Sequence, residues 1–134
     1  MALSIKFDER ELADLLDKLS PDLYEEAVTA GVIDTAHTAQ AEIVTRTPRI
    51  TGTAQRSWRT DERKAKRYPN PEAVVDSNLV YIWWLETGKD SRGRKMRTRP
   101  GGYRMRDEGQ AATEQKVPQI LDNVVREIEG KWSS

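Results

Sequence analysis

Hydrophobic residues recur with helical spacing in two long stretches of the chain. At 100° per residue, one face of the first stretch carries Tyr24, Val28, Val32, Thr35, Ala36, Ala39 and Ile43. One face of the second stretch carries Val117, Ile120, Leu121, Val124, Val125, Ile128 and Trp132. The spacing predicts a long helix over residues 21–47 and a C-terminal helix over residues 106–132. Pro118 lies inside the second stretch, where it either starts a new helix or kinks an existing one.

Shorter patterns surround these two helices. Residues 1–20 combine an alternating segment, which indicates a short strand or an extended arm, with a leucine repeat of helical spacing. Residues 57–88 hold two β-rich segments and are predicted to be the sheet region. Within residues 57–88, the most hydrophobic stretch is residues 81–85, which is too short for a helical or a strand period to be assigned. Residues 89–102 are polar, glycine-bearing and basic, which predicts a long loop.

These elements together predict an α+β fold in a single domain of 134 residues. We expect a small antiparallel sheet packed against a long N-terminal helix and a C-terminal amphipathic helix, with a long basic loop. Small residues dominate the middle of the 21–47 helix, and they would let a sheet or a second helix approach closely. The high helix propensity of alanine explains the same residues equally well.

Composition excludes several classes of protein. The chain has no cysteine, so a disulfide framework, a thiolate nucleophile and a cysteine zinc site are excluded. No apolar stretch reaches the roughly 18 residues that a membrane span requires. We therefore expect no membrane partner.

The zero net charge of the chain is the sum of unlike parts. Residues 1–48 hold 10 acids and 4 bases, a net charge of −6. Residues 49–106 hold 6 acids and 15 bases, a net charge of +9, and residues 107–134 have a net charge of −3. Such a partition suits binding to polyanions or pairing with the acidic parts of a neighbouring copy.

The basic segment is the most informative candidate site. Its cations are Lys89, Arg92, Arg94, Lys95, Arg97, Arg99, Arg104 and Arg106, against Asp90 alone. Arginines of this kind bind phosphate, but Tyr103 is the one aromatic residue among them that could stack on a base. Docking on an acidic protein surface is therefore favoured over direct recognition of nucleic acid, which stays the alternative function.

Two further features bear on chemistry. His37, the one histidine, is predicted to point away from the apolar face and has no recognisable catalytic partners. With no phosphate-binding glycine loop, metal-ligand spacing or nucleophile arrangement either, we expect neither enzyme activity nor a cofactor. The rings of Trp83 and Trp84 cannot share one face of a strand, and in a helix they would point about 100° apart. One ring is therefore expected to enter the core and the other to face a partner, and burial of both at the edge of the core is the alternative.

Three segments in order resemble the tail-completion (neck) proteins of siphophages, a putative minor tail-component family. Residues 48–57 are similar to its P-x-x-T-G-x-L-x-x-S signature, residues 81–88 to its Y-A-x-x-x-E-x-G-T, and residues 99–105 to its Pro-aromatic approach to a closing helix. The matching positions are Pro48, Thr51, Gly52, Ser57, Tyr81, Glu86, Gly88, Pro100 and Tyr103. Glu86, alone among apolar residues, is expected to accept hydrogen bonds or to pair with an arginine such as Arg56.

The resemblance implies a non-enzymatic virion protein that joins the head connector to the tail tube. Its expected partners are other copies of itself in a neck ring, the head-connector proteins, and tail-tube or tail-terminator proteins. In such a ring some arginines would be open to non-specific contact with DNA in the channel. The residues expected to face partners are Trp83, Trp84, Arg92, Arg94, Lys95, Arg97 and Arg99.

Overall fold

The computed structural model describes residues 2–7, 9–19, 21–48, 52–67, 71–79, 81–89 and 101–133. The helices within these ranges are α1 (Glu9–Lys18), α2 (Pro21–Arg46), α3 (Thr53–Arg56), α4 (Ile82–Thr87) and α5 (Met105–Ser133). The strands are β1 (Ala2–Ile5), β2 (Trp58–Asp61) and β3 (Ala73–Ser77). The architecture is α+β, which confirms the predicted fold class.

The three strands form one antiparallel sheet in the order β1-β3-β2. Val75, in the central strand, pairs with Leu3 of β1 and with Thr60 of β2. Successive side chains of a strand point to opposite faces, so hydrophobic alternation buries one face only. The face against α2 holds buried residues such as Leu3 and Val75, whereas Arg59 and Asp76, which are paired across β2 and β3, are exposed.

Helix α2 is buried along the predicted face. Six of the predicted residues are buried (Val28, Val32, Thr35, Ala36, Ala39 and Ile43), and Tyr24 is half-buried. Ala27 and Gly31 are buried as well, because α2 contacts both the sheet and α5. The buried surface is therefore wider than the single stripe that the sequence predicts.

Close packing, rather than alanine propensity alone, explains the small residues of α2. A Cβ at Gly31 would lie 2.7 Å from the Phe7 ring. Where the two long helices meet, Gly109 of α5 lies against Ile43 of α2, and Leu121 of α5 lies near Gly31 of α2. The two helices therefore run in opposite directions at close range.

The core has two parts. One lies between the sheet, α2, α4 and the start of α5, and includes Ile43, Trp58, Ile82 and Met105. The other lies between α1, α2 and the later turns of α5, and its buried residues are Leu19, Ala27, Val28, Leu121, Val124, Val125 and Ile128. The half-buried ring of Phe7 packs against both parts.

The structure corrects one local prediction, adds one short helix and excludes one of the two alternatives for Pro118. Residues 82–87, placed in the sheet region, form the helix α4, since Ile82 and Glu86 point inward one turn apart. The one-turn helix α3 was not predicted. Pro118 does not start a new helix, because α5 is one helix on both sides of it and packs on α2 through both Gly109 and Leu121.

Glu42 links the two long helices through charge. Its carboxylate accepts hydrogen bonds from Lys116 of α5 and from Arg46, and both hold the pKa of Glu42 below its ordinary value. A lowered folded pKa contributes stability above the unfolded pKa, and that stability is lost as the pH falls through the folded value.

We expect Glu42→Gln to lower the free energy of unfolding by about 1 kcal/mol at pH 7. The difference from wild type should shrink towards pH 3, where the wild-type carboxylate becomes protonated. Urea denaturation at both pH values measures this, with the exposed Glu129→Gln as the control. An equal difference at the two pH values would contradict a charge-based link.

Candidate docking site at the base of the basic loop

The two ends of the basic loop are held together by backbone hydrogen bonds. Helix α4 ends at Gly88, which adopts a left-handed conformation and donates its N–H to the Trp84 carbonyl at 2.8 Å. Where the chain returns, Tyr103 N–H donates to the Leu85 carbonyl at 2.7 Å, and Arg104 N–H donates to that of Glu86 at 3.2 Å. The chain thus enters and leaves the loop at one fixed point, which we call the loop base (residues 84–89 and 101–106).

Gly102 makes this close approach sterically possible. Its φ is +76°, in the left-handed region that side chains disfavour. A Cβ there would overlap the Glu86 carbonyl and lie 2.6 Å from the Gly88 nitrogen. Gly101 also has a positive φ, of +90°, but nothing lies within 4 Å of its Cβ position.

Glu86 joins the loop base to α5. Its side chain is 4% exposed, and its carboxylate accepts hydrogen bonds from the N–H of Arg106 at 2.7 Å and of Asp107 at 3.4 Å. Backbone N–H groups in the first turn of a helix have no intrahelical partner, and a carboxylate there also complements the helix dipole. Glu86 therefore caps α5 from a different helix. Of the two expected alternatives, Glu86 accepts hydrogen bonds, and the Arg56 guanidinium lies beside Gly52 instead.

We expect Glu86→Ala to lower the free energy of unfolding by roughly 2 kcal/mol, because two N–H groups of α5 lose their acceptor. Glu86→Gln keeps one acceptor oxygen and should cost about half as much. Urea denaturation gives the stabilities, and hydrogen exchange at Arg106 and Asp107 tests the cause. Equal losses for the two variants, or unchanged exchange at these two amides, would rule out capping.

The two tryptophans of α4 agree only in part with the prediction that one ring enters the core and the other faces outward. Trp83 is 55% exposed, and it is the one exposed large hydrophobic residue among those the structure describes. Trp84 is half-buried rather than part of the core. A third tryptophan, Trp58, is buried and donates its Nε1–H to the Thr47 hydroxyl at 3.1 Å.

Most of the described motif positions have structural roles. Gly52 precedes α3 with φ +80°, and Ser57 follows it, with its hydroxyl bonded to the Ala54 carbonyl at 2.6 Å. The half-buried Pro48 follows α2, and Tyr81 and Tyr103 pack against the core. Several predicted positions lie outside the described residues: Thr51, Arg92, Arg94, Lys95, Arg97, Arg99 and Pro100.

The exposed cations of the loop base are Lys89 and Arg104, and the half-buried Arg106 follows at the start of α5. Asp107 lies 3.4 Å from the Arg106 guanidinium and 4.0 Å from that of Arg104. One carboxylate thus faces two arginines, and exposed pairs of this kind are weak and easily exchanged for another partner. The loop base therefore carries positive charge, and Trp83 is exposed on α4, the helix that leads into it.

His37 is exposed, as predicted, and its Nε2 is hydrogen-bonded to the carboxylate of Glu62. No oriented nucleophile accompanies this pair among the contacts described. Within the described ranges, no group of three or more histidine and acidic residues is arranged to hold a metal ion.

No family model, curated protein or solved structure matches the chain. Among the helices described, none has the length and apolar character needed to cross a bilayer. Function must therefore be argued from the motif resemblance and from the geometry of the loop base.

Proposed function

We propose that the protein is a structural component of a tailed bacteriophage, joining the head connector to the tail tube within an oligomeric neck ring. The observation that carries the proposal is the loop base. Two residues that match the siphophage motif, Glu86 and Tyr103, take part in the backbone hydrogen bonds that join the ends of the basic loop, and a third, Gly88, ends the helix beside them.

The geometry of the loop base suits assembly because hydrogen bonds fix the two ends of a charged loop at one point of the domain. Rigid support lowers the entropy that is lost when a loop orders on a partner. Gly88 and Gly102 fix where the loop leaves the domain, and Trp83 lies exposed on the adjoining helix. Tryptophan and arginine are the residue types enriched at interface hot spots.

A non-enzymatic role agrees with what the polar residues do. Glu86 caps a helix, Glu42 links two helices, and His37 pairs with Glu62 at the surface. In the proposed role these residues position a binding surface, and partner binding provides the function. Its place in the cell would be the neck of a virion, assembled in the bacterial cytoplasm.

Deletion of the gene from the phage or prophage that encodes it tests the proposal. Electron microscopy should then show filled heads and separate tails, and the wild-type gene supplied in trans should restore joined particles. Normal virions from the deletion strain would overturn the proposal.

Trp83→Ala tests the loop base within the same complementation experiment. Because Trp83 is exposed, we expect a stability change within about 0.5 kcal/mol, together with a loss of joined particles. The exposed Gln119→Ala on α5 is the control and should complement fully. Full complementation by Trp83→Ala would exclude Trp83 from the interface.

Titration with duplex DNA at two salt concentrations distinguishes the proposed function from the alternative, which is nucleic-acid binding. Binding by the isolated chain at micromolar concentration, falling steeply with salt, would favour the alternative. We expect no such binding, because the positive segment is balanced by acidic segments in a chain of zero net charge.

A further inference from the structure

A groove runs between α1 and α5, away from the loop base. It consists of two cavities of about 350 and 110 Å³ that share Glu11, Glu114 and Val117 in their walls. The larger, outer cavity also has Pro118 and Leu121 in its lining. The smaller, inner cavity reaches β1 and α2. We call the two together the α1–α5 groove.

The groove is acidic around an apolar lining. Four carboxylates line it (Glu11, Asp14, Glu114 and Asp122), while its cations are Arg10 and Lys6. Val117, Pro118 and Leu121 supply the apolar surface. Such a lining fits a segment that combines positive charge with aliphatic stems, as arginine side chains do.

A second observation inside the groove points to a ligand. Thr35 lines the inner cavity, is 4% exposed, and its hydroxyl has no hydrogen-bond partner among the described residues. A buried polar group without a partner costs free energy, which a ligand that bonds to it would recover. A guanidinium offers five N–H donors and no acceptor, so it matches a hydroxyl oxygen flanked by carboxylates.

We infer that the α1–α5 groove is the docking site for the basic loop, residues 89–100, of a second copy of this chain. That loop carries six cations against one carboxylate. One arginine side chain enters the inner cavity towards Thr35, and the others face the carboxylates of the outer cavity. The inference rests on the proposed function and assigns the surface through which neighbours in the ring meet.

The contact is head-to-tail because the loop and the groove are different surfaces of the chain. Along α5 the groove extends from Gln110, five residues after Met105, to Asp122, 17 residues after it, which is about 8 to 26 Å at 1.5 Å per residue. Different surfaces therefore meet at the interface, and such heterologous contacts close into rings or continue as filaments. Each chain supplies one loop and one groove, so every copy can contact two neighbours.

Paired charge reversals test the inference on the full chain. The groove variant carries Asp14→Lys and Glu114→Lys, two exposed positions, and the loop variant carries Arg92→Glu and Arg94→Glu. Sedimentation velocity at low salt should show self-association of the wild type and at least 10-fold weaker association of either variant alone. An equimolar mixture of the two variants should associate again, since each loop then meets a groove of opposite charge.

Thr35→Val provides a second readout, because it keeps the side-chain volume and removes the hydroxyl. We expect association to weaken roughly 10-fold while the melting temperature stays level or rises. A fall in stability with unchanged association would assign the hydroxyl to folding alone and overturn this part of the inference.

The outcomes separate this inference from the proposed function. A wild type that is monomeric at every concentration, or variants that do not restore each other in the mixture, would overturn the docking site. Monomers with a crosslink between the loop and groove of one chain would show that the chain fills its own groove. In each case the deletion phenotype still decides the proposed function separately.

Discussion

Replacement of Gly102 by alanine is expected to lower the free energy of unfolding by about 4 kcal/mol. Two costs combine: the positive φ of +76° disfavours a side chain, and the added methyl group meets the Glu86 carbonyl and the Gly88 nitrogen. Those atoms belong to the backbone, so no side-chain rotation relieves the overlap. Chemical denaturation of the purified variant measures the loss.

Gly101→Ala is the matched control for this position. Its φ of +90° is equally unfavourable, but no atom lies within 4 Å of the new methyl group. We expect a loss of about 1 kcal/mol, which isolates the conformational cost. Equal losses at the two positions would mean that the close approach at the loop base does not contribute to stability.

Replacement of Gly109 by alanine has the second large expected effect. The new Cβ would lie 2.6 Å from Ile43 Cγ1 and 3.1 Å from the Ile43 backbone nitrogen, so α2 and α5 would have to move apart. Overpacking of this kind costs about 3 kcal/mol, and alanine's better helix propensity offsets about 1 kcal/mol. We expect a net loss of about 2 kcal/mol in the free energy of unfolding.

A glycine-to-alanine substitution in an exposed part of α5 should raise the free energy of unfolding instead of lowering it. Nothing lies within 4 Å of the Cβ position at Gly130, so Gly130→Ala is expected to stabilise the protein by about 0.5–1 kcal/mol. Thermal and urea denaturation of both variants check the pair. A stabilised Gly109→Ala would mean that the two long helices are not in close contact.

The long elements could be predicted from the sequence because their periods are sustained. Val28, Val32 and Ile43 repeat over many turns of α2, and all three are buried. Helix α4 has six residues, fewer than two turns, and no period can be read from so short a segment. Its conformation depends on contacts with distant residues, such as the hydrogen bond that Tyr103 N–H donates to the Leu85 carbonyl.

The site could be predicted only in outline for the same physical reason. Glu86 stood out as a lone acid in an apolar stretch, yet its hydrogen bonds go to Arg106 and Asp107, 20 and 21 residues away. Nothing in the local sequence distinguishes a backbone partner from Arg56. The α1–α5 groove likewise combines α1, α2, α5 and β1, and only tertiary packing brings them together.

The way the core divides also determines when it can form during synthesis. Strand β1 cannot pair until β3 has been synthesised, since Leu3 pairs with Val75. Neither part of the core is complete until residues 105–133 follow, because Met105 belongs to one part and Leu121 to the other. The face of α2 that packs on α5 therefore stays uncovered until the last residues are synthesised, and transiently exposed apolar surface of this kind favours aggregation.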